Sequence, residues 1–181
     1  MKEYDLISIG TGSAMNLVDT MIQRTPSLRV AVIDKDEPGG ICLTRGCIPS
    51  KILLYPAEVV RTIENARTFG IDSEIKNVDF KKVMKRMRTL ISTQVTVIRK
   101  GLSNSPNIDY YVEVAEFVYP HTLKVGNETL KSDMIFLCTG SKPIIPPIKG
   151  LDKLDYLTSD TIQANSITRK RCHCWRRIHS C

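Results

Sequence analysis

Apolar and polar positions along the chain follow two rhythms. Tyr4 to Ile9 is a short apolar run that leads into Gly10-Thr11-Gly12-Ser13-Ala14, then a helical pattern to about Arg24, which Thr25-Pro26-Ser27 breaks. Leu28 to Ile33 is a β-branched run of buried-strand type ending at Asp34, so strand, glycine turn, helix and strand form a βαβ unit. After the loop Glu37-Pro38-Gly39-Gly40 and the stretch Cys42 to Cys47, a helix is predicted from Lys51 to about Thr68, with Gly70 as its stop. A second long helix is predicted over Val78 to Lys100, where Val83, Met84, Met87, Leu90 and Ile91 recur at helical spacing as core residues. From Ile108 the period changes to two. Tyr110–Val114, Glu116–Tyr119 and Thr122–Val125 read as short antiparallel strands, with a turn at Gly126-Asn127. Ser132 to Cys138 reads as another buried strand, followed by the extended, proline-rich connector Lys142 to Pro147. The pattern predicts an α/β fold: a parallel sheet with flanking helices and a small antiparallel β-meander.

Composition narrows the class. At 181 residues, 42% hydrophobic and 25% charged, the chain is an ordinary soluble globular type, long enough for one domain with a sizeable core. No apolar run approaches the ~20 residues of a membrane helix. No basic segment precedes the first apolar run, so a cytoplasmic location without membrane association is expected. The net charge of +7 suggests a nucleic-acid partner, but Arg169, Lys170, Arg171, Arg176 and Arg177 supply five of those charges and leave +2 for the rest. The basicity belongs to a short tail, and no nucleic-acid partner is expected. The cysteines also divide: Cys42, Cys47 and Cys138 sit in patterned sequence, while Cys172, Cys174 and Cys181 crowd the tail.

Two stretches carry chemistry. Gly10-x-Gly12 at a strand-to-helix turn lets backbone approach a pyrophosphate, and Asp34 is placed to accept from ribose hydroxyls. Met15 stands where a third glycine would favour close helix packing, and a turn in a nucleotide-free α/β protein is the alternative. In the second stretch, Gly39 to Lys51, two cysteines separated by four residues enter a helix. They can close a disulfide across its first turn, where the helix start favours a thiolate. Gly39 and Gly40 allow backbone to lie against a planar ligand. The alternative is a buried or zinc-binding pair. Zinc wants further Cys or His ligands, none follows nearby, and no metal site is expected.

The stretch Gly39-Gly40-Ile41-Cys42-Leu43-Thr44-Arg45-Gly46-Cys47-Ile48-Pro49-Ser50-Lys51 resembles the active-site signature G-G-x-C-x-x-x-x-C-x-P-x-K of class I pyridine nucleotide–disulfide oxidoreductases. The resemblance runs from about Tyr4 to Asp160. It implies an FAD-binding, Rossmann-like doubly wound domain and electron transfer between NAD(P)H, FAD, a Cys42–Cys47 disulfide and a dithiol or disulfide substrate. By position, Cys42 is the interchange thiol, Cys47 lies against the flavin, and Lys51 sits near flavin N5. Gly10, Gly12, Ser13, Asp34 and Lys35 fall to the ADP half of FAD. Gly39, Gly40, Ile41 and Cys42 line the cofactor, Ala115 contacts adenine through its backbone, and Thr139-Gly140-Ser141 is a second FAD-contacting turn. Cys138 replaces the usual alanine before that turn and reads as a small buried cysteine at a strand end. Ile48-Pro49-Ser50-Lys51 is most similar to dihydrolipoamide dehydrogenases. The Gly-Thr-Gly-Ser turn is similar to mycothione reductases, Thr44-Arg45 departs from the usual Asn-Val, and glutathione and mercuric reductases are further alternatives.

Residues 1–160 are therefore expected to form the N-terminal part of an FAD-binding domain, and 161–181 a tail with no domain. Intact family members continue with an NAD(P) domain and a dimer-interface domain, and act as homodimers. Shifting the reading frame forward by one base from Cys172 is compatible with an apolar strand running into G-x-G-x-x-A, the opening expected of the NAD(P) domain. The tail is thus read as out of frame, and the chain alone is expected to have little NAD-dependent turnover. A stand-alone FAD- or thiol-binding module and a metal-binding protein built on Cys172, His173, Cys174, His179 and Cys181 are the alternatives.

Overall fold

The computed structural model describes residues 1–162. Strands β1 (Lys2–Glu3) and β2 (Leu6–Ile9) precede helix α1 (Ala14–Arg24) and strand β3 (Val30–Ile33). Helices α2 (Gly40–Thr44), α3 (Cys47–Asn65) and α4 (Phe80–Asn104) follow. The remaining strands are β4 (Ile108–Tyr111), β5 (Ala115–Tyr119), β6 (Thr122–Val125), β7 (Glu128–Lys131) and β8 (Ile135–Leu137). The chain divides into two compact units, one from residues 1–51 and 89–141, the other from residues 52–88 and the chain from 142 onward.

The first unit is built on a parallel sheet of order β4-β3-β2-β8 beside a second sheet of order β1-β7-β6-β5. Alternate residues of the central strands supply two separate cores, as strand geometry requires. Ile7, Ala31 and Ile33 pack with Leu123, Val125 and Leu130 of the second sheet. Leu6, Val30 and Val32 pack on the opposite face with Val18 of α1 and Leu102 of α4. Both faces of β3 are thus buried, which is why its run is apolar without alternation. Met15 packs against the second core, so α1 accommodates it in place of a glycine.

The α/β class, the βαβ unit and the long helices match the sequence reading, with three corrections. The strand at 108–111 pairs parallel to β3 and does not belong to the antiparallel meander. Alternation cannot tell the two pairings apart, and the long α4 crossover supplies the connection that a parallel neighbour needs. The meander instead comprises β5, β6 and β7, with β1 joining it in parallel beside β7. The third correction is that α3 starts at Cys47, four residues before the predicted Lys51, so the two cysteines stand on different helices.

In the second unit, α3 ends in a 3-10 turn at Ala66–Phe69, with Gly70 in left-handed conformation as its stop. Asp79 Oδ1 accepts the Lys82 amide at 3.0 Å and so caps α4. Lys81, Lys82, Lys85, Arg86 and Arg88 are all exposed, so basic charge gathers on this stretch of α4 as well as in the tail. The tail cysteines and histidines, and the proposed frame change, lie outside the described residues. Among the described residues no helix is long and apolar enough to cross a membrane.

Candidate functional site

The turn after β2 is shaped by backbone contact. Gly10 has φ +110°, and a Cβ there would lie 2.1 Å from the Cys138 carbonyl oxygen at the end of β8. A Cβ on Gly40 would lie 2.5 Å from Gly12 Cα, so these two glycines let the dinucleotide-type turn and the start of α2 touch. Gly39, at φ +109°, would drive a Cβ into Leu43 and Ile98. The demand for glycine at 10, 39 and 40 is therefore set by neighbouring chain, where the sequence reading assigned it to ligand approach.

Thr11 joins these pieces. Its amide and hydroxyl both donate to Asp34 Oδ2, at 2.9 and 2.6 Å, and its hydroxyl oxygen accepts the Gly39 amide at 3.1 Å. Asp34 Oδ1 accepts the Asp36 amide at 3.0 Å. Of the roughly four acceptor positions on a carboxylate, these bonds use three and leave one for a sugar hydroxyl. Thr11 is buried and was missed in the sequence. The only signal was its place between the two turn glycines, with an acid at the end of the next strand.

The turn opens on a cavity of about 450 Å³, within the range of small-molecule sites. Gly12, Ser13 and Ala14 form part of its wall, and α1 begins there with no side-chain cap and no acid in its first turn. Helix-start amides without intrahelical partners are donors suited to phosphate oxygens. Asp34, Lys35 and Ala115 lie on the same wall, as do Ile41, Thr139 and Gly140. Cys138 is also there; it is exposed, which corrects its reading as a buried strand-end residue.

Cys42 and Cys47 are both exposed free thiols, Cys42 in α2 and Cys47 as the first residue of α3. The helix break at Arg45-Gly46 corrects the expectation that both lie on one first turn. A Cβ at Gly46 would sit 3.0 Å from the Ile41 carbonyl oxygen, which the close return of the chain explains. Hydrogen bonding to the neighbouring Cys47 side chain pushes the Cys42 thiol up from its ordinary value. Partial desolvation and the charge of Cys47 add to this, while a backbone hydrogen bond and the Lys51 ammonium oppose it. Cys42 lines the cavity, whereas Cys47, Lys51 and Ser141 stand off its wall.

Residues 4–173 match the family model described as pyridine nucleotide-disulphide oxidoreductase. The chain belongs to that family. Among the relatives of this chain, the mycothione reductase of Mycobacterium tuberculosis is 34% identical over 169 residues, covering 90% of this chain and 36% of the relative. The dihydrolipoyl dehydrogenase of Chlamydia pneumoniae is 36% identical over 166 residues, covering 88% and 34%. The HOCl-induced flavoprotein disulfide reductase RclA from Escherichia coli, solved as a Cu(II) complex, superposes with a TM-score of 0.70 at 25% identity, covering 89% of this chain and 34% of that one. The chain thus spans little more than a third of any of these relatives.

Membership of the pyridine nucleotide-disulphide oxidoreductases implies FAD, with NAD(P) as the second nucleotide of the intact family. The wall residues fit an FAD: uncapped α1 amides for pyrophosphate, the free acceptor position of Asp34 for ribose, and the Cys42 thiol at the cavity edge. When bound, FAD would supply a two-electron redox centre.

Proposed function

We propose that residues 1–160 form the N-terminal part of an FAD domain whose Cys42–Cys47 pair exchanges electrons with a dithiol or disulfide substrate, with a lipoyl-type dithiol as the first candidate. The observation that carries this is Cys42 in the wall of a cavity that also holds an uncapped helix start and Asp34, with the free thiol of Cys47 at the start of the next helix. In the exchange step the Cys42 thiolate attacks one sulfur of a substrate disulfide. A mixed disulfide forms at Cys42, and the other substrate sulfur leaves as a thiolate and takes up a proton. The Cys47 thiolate then attacks Cys42 sulfur, which closes the intramolecular disulfide and releases the reduced substrate. Gly10, Gly12, Ser13, Asp34, Lys35 and Ala115 hold the adenosine diphosphate half. Gly39, Gly40, Ile41, Lys51, Thr139, Gly140 and Ser141 serve the flavin side.

A trapping experiment tests this. The reduced 181-residue chain is mixed with oxidised lipoamide, and each cysteine is read by mass spectrometry. Cys47→Ser is expected to accumulate a mixed disulfide on Cys42, whereas Cys42→Ser yields none on Cys47. Mixed disulfide at neither position would reject the reading. The Gly-Thr-Gly-Ser turn supports mycothiol disulfide as the second candidate, and faster trapping of it than of lipoamide would reverse the order.

A further inference from the structure

A chain of polar contacts runs from the nucleotide cavity to the peptide between the two cysteines. Thr11 holds Asp34 Oδ2 and also accepts the amide of Gly39, the residue that caps the start of α2. Asp34 Oδ1 accepts the Asp36 amide at 3.0 Å. The Asp36 carboxylate in turn lies 3.6 Å from the Arg45 guanidinium. Arg45 stands in the helix break that separates Cys42 from Cys47, and its own amide donates to the Ile41 carbonyl at 2.9 Å. The segment bearing the thiols is therefore tied to Asp34 twice, once at its start through Thr11 and once between the cysteines through Asp36 and Arg45. Arg45 is also where this chain departs from the usual motif.

We infer that Arg45 is a positioning residue that couples occupancy of the adenosine site to the redox equilibrium of Cys42 and Cys47. The inference rests on the reading of the cavity as a nucleotide site. Both cysteines are free thiols here, with the Arg45 guanidinium beside Asp36. A ribose hydroxyl donating to the remaining acceptor position of Asp34 adds a bond to the carboxylate that anchors the Asp36 amide. The added bond fixes the orientation of that carboxylate, and with it the position of the oxygen that holds the Asp36 amide. Forming the disulfide constrains the segment from Cys42 to Cys47, and Arg45 lies inside that segment. A ligand that reinforces the dithiol arrangement then binds the dithiol form more tightly. By linkage the same ligand favours reduction of the disulfide by the same factor.

ADP is a suitable probe because it carries the ribose and pyrophosphate without the flavin. The 181-residue chain is equilibrated in glutathione buffers, where two glutathione thiols reduce the Cys42–Cys47 disulfide and leave as glutathione disulfide. Differential alkylation and mass spectrometry give the dithiol fraction at these two positions. ADP is expected to raise the dithiol-to-disulfide equilibrium constant by about fivefold, at the lower end of ordinary coupling between sites. Arg45→Ala, at a position that itself lines the cavity, is expected to bind ADP with equal affinity in the dithiol and disulfide forms and so lose that shift, while Arg45→Lys, which keeps the charge beside Asp36, recovers part of it. An unchanged ratio in the wild-type chain despite measured ADP binding would overturn the coupling alone. The same shift in Arg45→Ala would overturn the role of Arg45. Absence of ADP binding by calorimetry would remove the cavity reading and the coupling together.

Discussion

At the scale of single residues the site depends on a few polar atoms held in unequal surroundings. Thr11 uses its amide, its hydroxyl hydrogen and its hydroxyl oxygen at once. Replacing it by valine leaves the Asp34 carboxylate and the Gly39 amide each short of a partner. Thr11→Val is expected to cost about 1.5–3 kcal/mol in denaturant unfolding, in line with lost hydrogen bonds to a charged group, whereas Thr11→Ser costs far less. Tyr110 behaves in the opposite way. Its hydroxyl is buried without a hydrogen-bond partner, and burial, then the nearby Asp34 charge, raises its pKa. Tyr110→Phe is therefore expected to stabilise the chain by about 1 kcal/mol, read by the same unfolding experiment. For Cys42, the hydrogen bond to Cys47 keeps the proton on sulfur, so its thiolate forms at higher pH than an ordinary thiol's. The pH midpoint of Cys42 alkylation is expected to lie above the free-thiol range and to fall in Cys47→Ala. A midpoint unmoved by that substitution would show that Cys47 is not the cause.

At the scale of elements, the two ends of β2 and β8 and the start of α2 meet through backbone that has no room for side chains. Gly10→Ala would place a methyl group within 2.1 Å of the Cys138 carbonyl oxygen at a φ of +110°. Strain and displaced backbone together are expected to cost at least about 3 kcal/mol, seen as loss of the cooperative unfolding transition or of soluble chain. Elements dictated by local pattern were legible: the apolar run of β3, the helical stripe of α4, and the Gly126-Asn127 turn between β6 and β7. Elements dictated by distant partners were not. Nothing in Ile108-Asp109-Tyr110-Tyr111 says that its neighbour is β3, because pairing direction depends on where α4 delivers the chain. The start of α3 was missed for a related reason. Pro49 marks an early helix position, and Cys47 precedes it in the first turn, but the glycine at 46 masked the boundary. In the site, the glycines and Asp34 were readable as a motif, while Thr11 and Asp36 became visible only through their hydrogen bonds.

At the scale of the whole molecule, the first unit holds two sheets with one core between them and another beneath the helices. A polar chain fastens the sheets at one side. Tyr4 hydroxyl bonds Asp109 and the Tyr111 hydroxyl, each at 2.7 Å, and Tyr111 donates to Glu128, which also pairs with Lys2 at 2.9 Å. The Lys2 and Tyr111 contacts hold Glu128 below the usual carboxylate range. Its folded value lies under its unfolded one, so its contribution to stability is present above the unfolded value and is lost as pH falls through the lowered one. Glu128→Gln is expected to flatten the acid side of the stability curve, measured by unfolding at a series of pH values.

The order of the central sheet has a consequence for synthesis. β3 lies inside the sheet, yet one of its neighbours, β4, is encoded 75 residues after its own last residue, and the outer neighbour of β2 comes later still. Both faces of the early strands likewise wait for late partners: Leu102 on one side, and Leu123 to Leu130 on the other. While the first hundred residues emerge from the ribosome, apolar strands that end fully buried stand open to neighbouring nascent chains. This is the situation in which collapsed chains aggregate before their distant strands arrive. The sheet and both of its cores are therefore completed only by residues made after position 100, the last of them in β8.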